Sequence, residues 1–227
     1  MSSVPIRLYA PPPFELWLVS LASPVTGADF ELLDDAERAR AARFHFERDR
    51  DRYVVAHAAL RRLLAQRTAR DPASLEFAAG PYGKPYLAQA PRCAFSLSHC
   101  ESQALVALAG DGEIGVDLER VRPLADLDGL ARQCLTPAEM HELADVEPGL
   151  RPLSFLRLWA RKEACLKALG LGLQVEPSTF AVGLSVEGGN VCIPTISGPR
   201  EVEVHGVEVA PGWIGALARA GLAINGE

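Results

Sequence analysis

Leu33-Asp-Asp-Ala-Glu37 returns as Leu135-Thr-Pro-Ala-Glu139, and the patterns around each copy come in the same order. Ahead of the first lies a strand pattern, Phe14-Glu-Leu-Trp-Leu-Val-Ser-Leu21, introduced by consecutive prolines that cannot join a ladder. Ahead of the second lies Ile114-Gly-Val-Asp-Leu-Glu-Arg-Val121. The distance from strand to element is 17 residues in the first half (Leu16 to Leu33) and 21 in the second (Ile114 to Leu135). A long helical pattern follows each element. The first runs from about Asp51 to Ala69, with Tyr53, Val54, His57, Leu60, Leu63 and Leu64 at helical spacing, Pro72 as its stop and an arginine-rich polar side; the second runs from about Ser154 to Leu169.

Further strands are expected at Ala94 to Leu97, at Gln103 to Ala109, and in the Gly/Pro-punctuated tail from Phe180 to Ile224, with Gly110 to Glu113 as a hairpin loop. The chain thus reads as an α+β fold made by pseudo-twofold duplication. Each half has an antiparallel sheet packed on a long helix, and the halves are residues 1–110 and 111–227.

Composition narrows the function. A chain of 227 residues that is 48% apolar can bury a full core. Its formal charge of −6 argues against a general nucleic-acid binder, although ten arginines between Arg38 and Arg70 leave room for a local basic surface. The five cysteines are odd in number and scattered, so they indicate neither a disulfide framework nor a zinc site. No apolar run approaches the ~20 residues needed to cross a bilayer, and no leader-like segment opens the chain. The expected setting is the cytoplasm.

Of the 23 basic residues only Lys84, Lys162 and Lys167 are lysines. In an arginine-rich chain these mark places where a compact ammonium matters, and phosphate binding is one such place. Lys84 sits in the turn Gly80-Pro-Tyr-Gly-Lys-Pro85. The other two lie in Trp159-Ala-Arg-Lys-Glu-Ala-Cys-Leu-Lys167.

Strand alternation puts Ile114, Val116 and Leu118 on one face of their strand and Gly115, Asp117 and Glu119 on the other. Two carboxylates about 6 to 7 Å apart can converge on one Mg²⁺, or can simply form a solvated polar face. On the helix, Lys162 falls inside the apolar arc of Phe155, Leu158, Trp159, Leu166 and Leu169, where an ammonium needs a partner or a ligand. Glu163 and Lys167 lie at the edge of that arc, as site residues or as an ordinary i,i+4 pair; Arg157 and Arg161 fall on the side where water is expected. A polar cleft facing this helix accounts for Lys162. Glu163 could complete an oxygen-only site with Asp117 and Glu119, and the absence of a His/Cys cluster fits magnesium rather than zinc.

Gly83-Lys84-Pro85, Ser96-Leu-Ser-His99, Gly115-Val-Asp-Leu-Glu119 and the Trp159 to Lys167 run together resemble the surfactin-type family of 4′-phosphopantetheinyl transferases, in order and spacing over nearly the whole chain. The resemblance implies two α+β halves with the active site between them. It implies transfer of the phosphopantetheine arm of coenzyme A to a serine of an acyl or peptidyl carrier protein, releasing adenosine 3′,5′-bisphosphate. An internally duplicated chain can build its site within one polypeptide, so a monomer is expected, and charge and hydropathy add the expectation of no nucleic-acid or membrane partner. Asp117, Glu119 and Glu163 would hold Mg²⁺, Glu163 would also serve as general base, and Lys162 and Lys167 would contact the pyrophosphate. Arg52, Lys84, Ser98 and His99 match positions toward the adenosine 3′-phosphate. Where the family often has lysines this chain has Glu37, Arg38 and Arg40, with Arg40 the expected substitute. A coenzyme A-binding module without activity and a Mg²⁺-dependent pyrophosphohydrolase are the competing readings.

Overall fold

Short strands with alternating burial and helices with capped ends build two units, whose residues 4–185 and 188–221 are described by a computed structural model. The first unit comprises Met1–Gly80 and Pro85–Asp111, the second Pro81–Lys84 and Gly112–Glu227.

In the first unit β1 (Ile6–Leu8) and β2 (Glu15–Ser20) are followed by α1 (Gly27–Glu31), α2 (Asp35–Ala41) and the long α3 (Glu47–Thr68). A hairpin of β3 (Phe77–Ala79) and β4 (Pro85–Leu87) precedes β5 (Ala94–Cys100) and β6 (Gln103–Ala109). The main sheet has the order β1-β2-β6-β5, antiparallel throughout. Val19, Val106 and Leu108 from the sheet pack with Ala56, Leu60, Leu63 and Leu64 of α3 in its core.

Helix α3 begins four residues before the expected Asp51. Glu47 and Asp49 fill its first turn, where carboxylates favour the positive end of the helix dipole. Strand β1 carries no alternation long enough to announce itself, and β5 runs on to Cys100 instead of stopping at Leu97.

The second unit repeats the plan. β7 (Glu113–Arg120) leads through α4 (Leu127–Cys134) and α5 (Pro137–Asp145) to α6 (Arg151–Leu169), then to β8 (Gly189–Ile193), β9 (Arg200–Val207) and β10 (Trp213–Ala220). The sheet order is β7-β10-β9-β8, again antiparallel. α6 starts at Arg151, ahead of the expected Ser154, because Pro152 in the first turn has no N–H to miss and a φ already suited to a helix. The expected tail strands end at Ala220; Ile224, to which that expectation reached, lies outside the described residues. Among the described residues no helix is long and apolar enough to cross a membrane.

Both copies of the Leu-x-x-Ala-Glu element start helices through the same device. Asp34 caps α2 and Thr136 caps α5, each accepting from the backbone N–H of the glutamate three residues on, Glu37 or Glu139, whose carboxylate reaches back to the cap. The shared glutamate closes a capping box in each copy, on Asp34 in one and Thr136 in the other.

Candidate active site

Gly115 sets the site. A side chain there would put its Cβ 2.1 Å from the Ala164 carbonyl oxygen and 2.3 Å from the Ala168 nitrogen, so glycine alone lets β7 lie against the backbone of α6. The two elements run in opposite senses. From Gly115 to Glu119 the strand rises about 13 Å, and the helix covers about the same length from Ala168 back to Trp159. Matched rise brings Asp117 and Glu119 onto the Trp159-Glu163-Lys167 stripe.

Asp117 is 5% exposed and its Oδ1 accepts from Lys167 Nζ at 2.5 Å. One turn away, the Trp159 indole N–H donates to Glu119 Oε1 at 3.0 Å. Burial raises the Glu119 carboxyl above the ordinary glutamate value and the charge of Asp117 adds to it, opposed by Arg122, the Trp159 hydrogen bond and Lys167. Burial likewise raises Glu163, with Lys167 lowering it and Asp117 raising it. The three carboxylates therefore share one partly buried wall with Lys167, and both glutamates feel the charges of Asp117 and Lys167. The solvated-face reading fails for Asp117, which is buried, while Glu119 is half-buried.

The donor set is all oxygen, as a hard divalent cation requires; burial chiefly lifts both glutamates, the charge of Asp117 adds to it, and such a cation would favour their ionised forms. The convergence expected of Asp117, Glu119 and Glu163 is incomplete, however. Among the described residues no three His, Cys, Asp or Glu side chains form a metal-ligating cluster, and Lys167 and Trp159 hold one oxygen each of Asp117 and Glu119.

Lys162 does not join this wall. It is 0% exposed, forms an ion pair with Glu139 at 2.7 Å, donates to the carbonyls of Pro177 (2.8 Å) and Phe180, and lies 4.7 Å from the centre of the Phe180 ring. Three acceptors use its three protons. The polar cleft expected to explain it is a carboxylate and two loop carbonyls, and these engage the ammonium that the resemblance assigned to the pyrophosphate. Arg161 is a correction: it is 4% exposed instead of solvated.

The Lys84 ammonium donates to the Ile114 carbonyl at 3.0 Å and the Ala168 carbonyl at 2.6 Å, the two sides of the crossing at Gly115. Its stem lies against Gly170, whose φ of +66° ends α6 in the left-handed conformation. Burial pulls this ammonium down to about 8, against the raising effect of Glu113. The group expected to reach toward the adenosine end is instead occupied by backbone at the helix C-terminus, a favourable place for a cation.

The remaining expected residues belong to the first unit. Ser98 is buried on β5 and His99, next along the strand, is exposed, so they point to opposite faces. Arg52 is half-buried on α3, 3.7 Å from Asp49. Arg40 is exposed, stands 5.9 Å from the Tyr53 ring, and with Arg43 and Phe44 lines a cavity of about 300 Å³. Trp159 and Gly115 are the site residues to which sequence reasoning gave no role. The indole lies four residues before Glu163, which is the signal that places it on the same stripe.

The sequence is similar to known proteins in both units. Residues 113–210 match the family model for the 4′-phosphopantetheinyl transferase superfamily, and residues 26–112 match the one for the N-terminal part of 4′-phosphopantetheinyl transferases. A putative 4′-phosphopantetheinyl transferase of Synechocystis sp. is 35% identical over 161 residues, 70% of this chain and 65% of the relative. The 4′-phosphopantetheinyl transferase HetI of Nostoc sp. is 34% identical over 163 residues, 70% of this chain and 69% of the relative. The 4′-phosphopantetheinyl transferase Sfp of Bacillus subtilis is 27% identical over 186 residues, 81% of this chain and 80% of the relative.

Proposed function

Because this chain belongs to the 4′-phosphopantetheinyl transferase superfamily, we propose that it transfers the 4′-phosphopantetheine arm of coenzyme A to a serine hydroxyl of an acyl or peptidyl carrier protein. The serine Oγ forms a bond to the β-phosphorus, the anhydride bond to the α-phosphate breaks, and adenosine 3′,5′-bisphosphate leaves. The observation that supports this most is the wall of Asp117, Glu119 and Glu163 around Lys167, built by the close crossing at Gly115.

In this reading Glu163 takes the serine proton. A carboxylate lifted by burial is a better base near neutrality than an exposed one, and such a group is worth roughly 10²- to 10⁴-fold in rate. Lys167 presents its ammonium to the pyrophosphate. Asp117, Glu119 and Glu163 would hold Mg²⁺, which when bound supplies charge neutralisation at the pyrophosphate. Trp159 fixes Glu119 on its side of the wall. Arg40, Arg52, Ser98 and His99 are assigned to the nucleotide end of coenzyme A, Arg40 beside a cavity it shares with Arg43. Lys162 and Lys84 receive no ligand contact, since their ammoniums are engaged by protein. We place the reaction in the cytoplasm and in a monomer; five free cysteines fit a reducing compartment.

The test is the mass of an apo carrier protein incubated with this protein, coenzyme A and Mg²⁺. It gains one phosphopantetheine arm, and Glu163→Gln or Asp117→Ala abolishes the gain while the circular dichroism spectrum is kept. An unchanged carrier mass across fatty-acid, polyketide and peptide carriers overturns the transferase reading. Phosphate release without any carrier would show a hydrolase.

A further inference from the structure

Arginine is rarely buried without a carboxylate, because removing a guanidinium from water is costly unless its donors and its charge are matched. Arg61 of α3 obeys this rule: it is 0% exposed and bonded to Glu37 and Asp34, each at 2.7 Å. Arg161 of α6 does not. It is 4% exposed, and among the described residues its hydrogen bond goes to the Gly183 carbonyl at 2.7 Å, one neutral acceptor for five N–H donors. Arg157 lies one turn earlier on the same stripe, and among the described residues no carboxylate pairs with either guanidinium. Burial lowers the Arg161 pKa and the charge of Arg157 lowers it further, which is the mark of a cation short of compensation.

Both arginines line a cavity of about 430 Å³ whose other walls include Leu153, Leu184, Ile214 and Trp213, with one carboxylate residue, Glu208, also on its lining. That volume lies in the range of small-molecule sites, roughly 300–1,000 Å³. Trp213 is a stiff wall: Arg120 covers its ring at 5.2 Å and donates to the neighbouring Gly212 carbonyl at 2.8 Å. The carboxylate wall lies elsewhere on the helix, since Glu163 and Lys167 project from another stripe of α6 than Arg157 and Arg161.

We propose that this cavity binds an amphipathic anion, a carboxylate or phosphate held by Arg157 and Arg161 with an apolar body against Leu153, Leu184, Trp213 and Ile214. Two guanidinium forks suit either oxyanion, and the apolar walls select ligands that carry a hydrocarbon part. The site does not depend on the transfer reaction.

The experiment is an NMR titration of the full chain with decanoate, decyl phosphate and uncharged decanol, following the indole N–H signals of Trp213 and Trp159. One or both anions shift the Trp213 signal saturably and leave Trp159 in place, and the comparison of the two tells which oxyanion is preferred. Decanol binds at least about tenfold more weakly, the effect of one charge-assisted contact. Arg157→Met, at an exposed position that leaves the fold intact, weakens the anions about tenfold, and Arg161→Met does so more strongly wherever it stays folded. The proposal is overturned by no shift at millimolar anion, by equal binding of decanol, by a shift at Trp159 instead, or by anion affinity unchanged in Arg157→Met.

Discussion

Arg61 of α3 and Lys162 of α6 occupy corresponding places in the two units and are held by the same kinds of contact. Each is fully buried and pairs at 2.7 Å with the glutamate of a capping box, Glu37 in one unit and Glu139 in the other. Each donates to two carbonyls of the loop after its helix, Pro72 and Leu75 for Arg61, Pro177 and Phe180 for Lys162. Each lies close to a phenylalanine ring, at 4.9 Å from Phe77 and 4.7 Å from Phe180. The buried cation is thus a post that ties the short capped helix, the long helix and the following loop together.

The difference begins one residue later. Arg62 pairs with Asp29 at 2.6 Å and keeps a structural role, whereas Glu163 turns to Asp117 and Lys167. Four residues further the first unit has Gln66 and the second Lys167. Strand β2 has no acidic residue after Glu15, where β7 offers Asp117 and Glu119. One frame occurs twice, and the catalytic candidates are loaded on the second copy alone.

The post is the place to break this comparison hardest. Lys162→Met leaves the Glu139 carboxylate buried without its cation and should cost about 3–5 kcal/mol, read as a lower urea midpoint; Arg61→Met should cost as much. Adding Glu139→Gln to Lys162→Met should recover part of the loss, because the orphaned charge is gone. A Lys162→Met chain that melts like wild type yet transfers nothing would show that Lys162 touches substrate, and the equivalence with Arg61 would fall.

Next in size is Gly115→Ala. Its Cβ meets helix backbone, which cannot yield as a side-chain tip can, so a loss of about 3 kcal/mol or more is expected. Transfer activity should drop further than the folded fraction does, since the crossing sets where Asp117 meets Lys167. Equal loss of activity and folded fraction would confine Gly115 to stability.

The smallest effect has the opposite sign. Burial and Asp117 raise the folded-state pKa of Glu163, so the folded chain retains a proton that the unfolded chain gives up as pH climbs past the ordinary glutamate value. Stability therefore declines with rising pH from that value to the raised one and stays reduced above it. Glu163→Gln should flatten the decline and raise the melting temperature at neutral pH while abolishing transfer. Mg²⁺ should raise the wild-type melting temperature more than that of the variant. A variant melting below wild type at pH 7 would show that Glu163 stabilises the fold instead of straining it.

Much of this was legible in the residues. The Leu-x-x-Ala-Glu repeat holds a capping box, Asp34 to Glu37 and Thr136 to Glu139, and a capping box is local chemistry written in four consecutive residues. Alternation along β7 assigns Gly115, Asp117 and Glu119 to one face because the period of a strand is exact. Less was visible for the lysines. A helical wheel fixes the angle at which Lys162 leaves α6 and says nothing about what faces it. The facing groups are Glu139 from another helix and two carbonyls 15 and 18 residues downstream. The same limit hid Arg161, whose position opposite the apolar arc suggested water. Lys84 in its turn looked solvated or ligand-bound, and only the fold brings the Ala168 carbonyl, 84 residues away in the chain, within reach.

The sequence by itself determined the duplicated α+β plan, the family, and the face of β7 that carries carboxylates, since these rest on short-range periodicity and on motifs whose parts stand close together. Tertiary structure alone decided which cations are posts. An ammonium's role depends on the acceptors around it, and those arrive from segments that no local pattern ties to it.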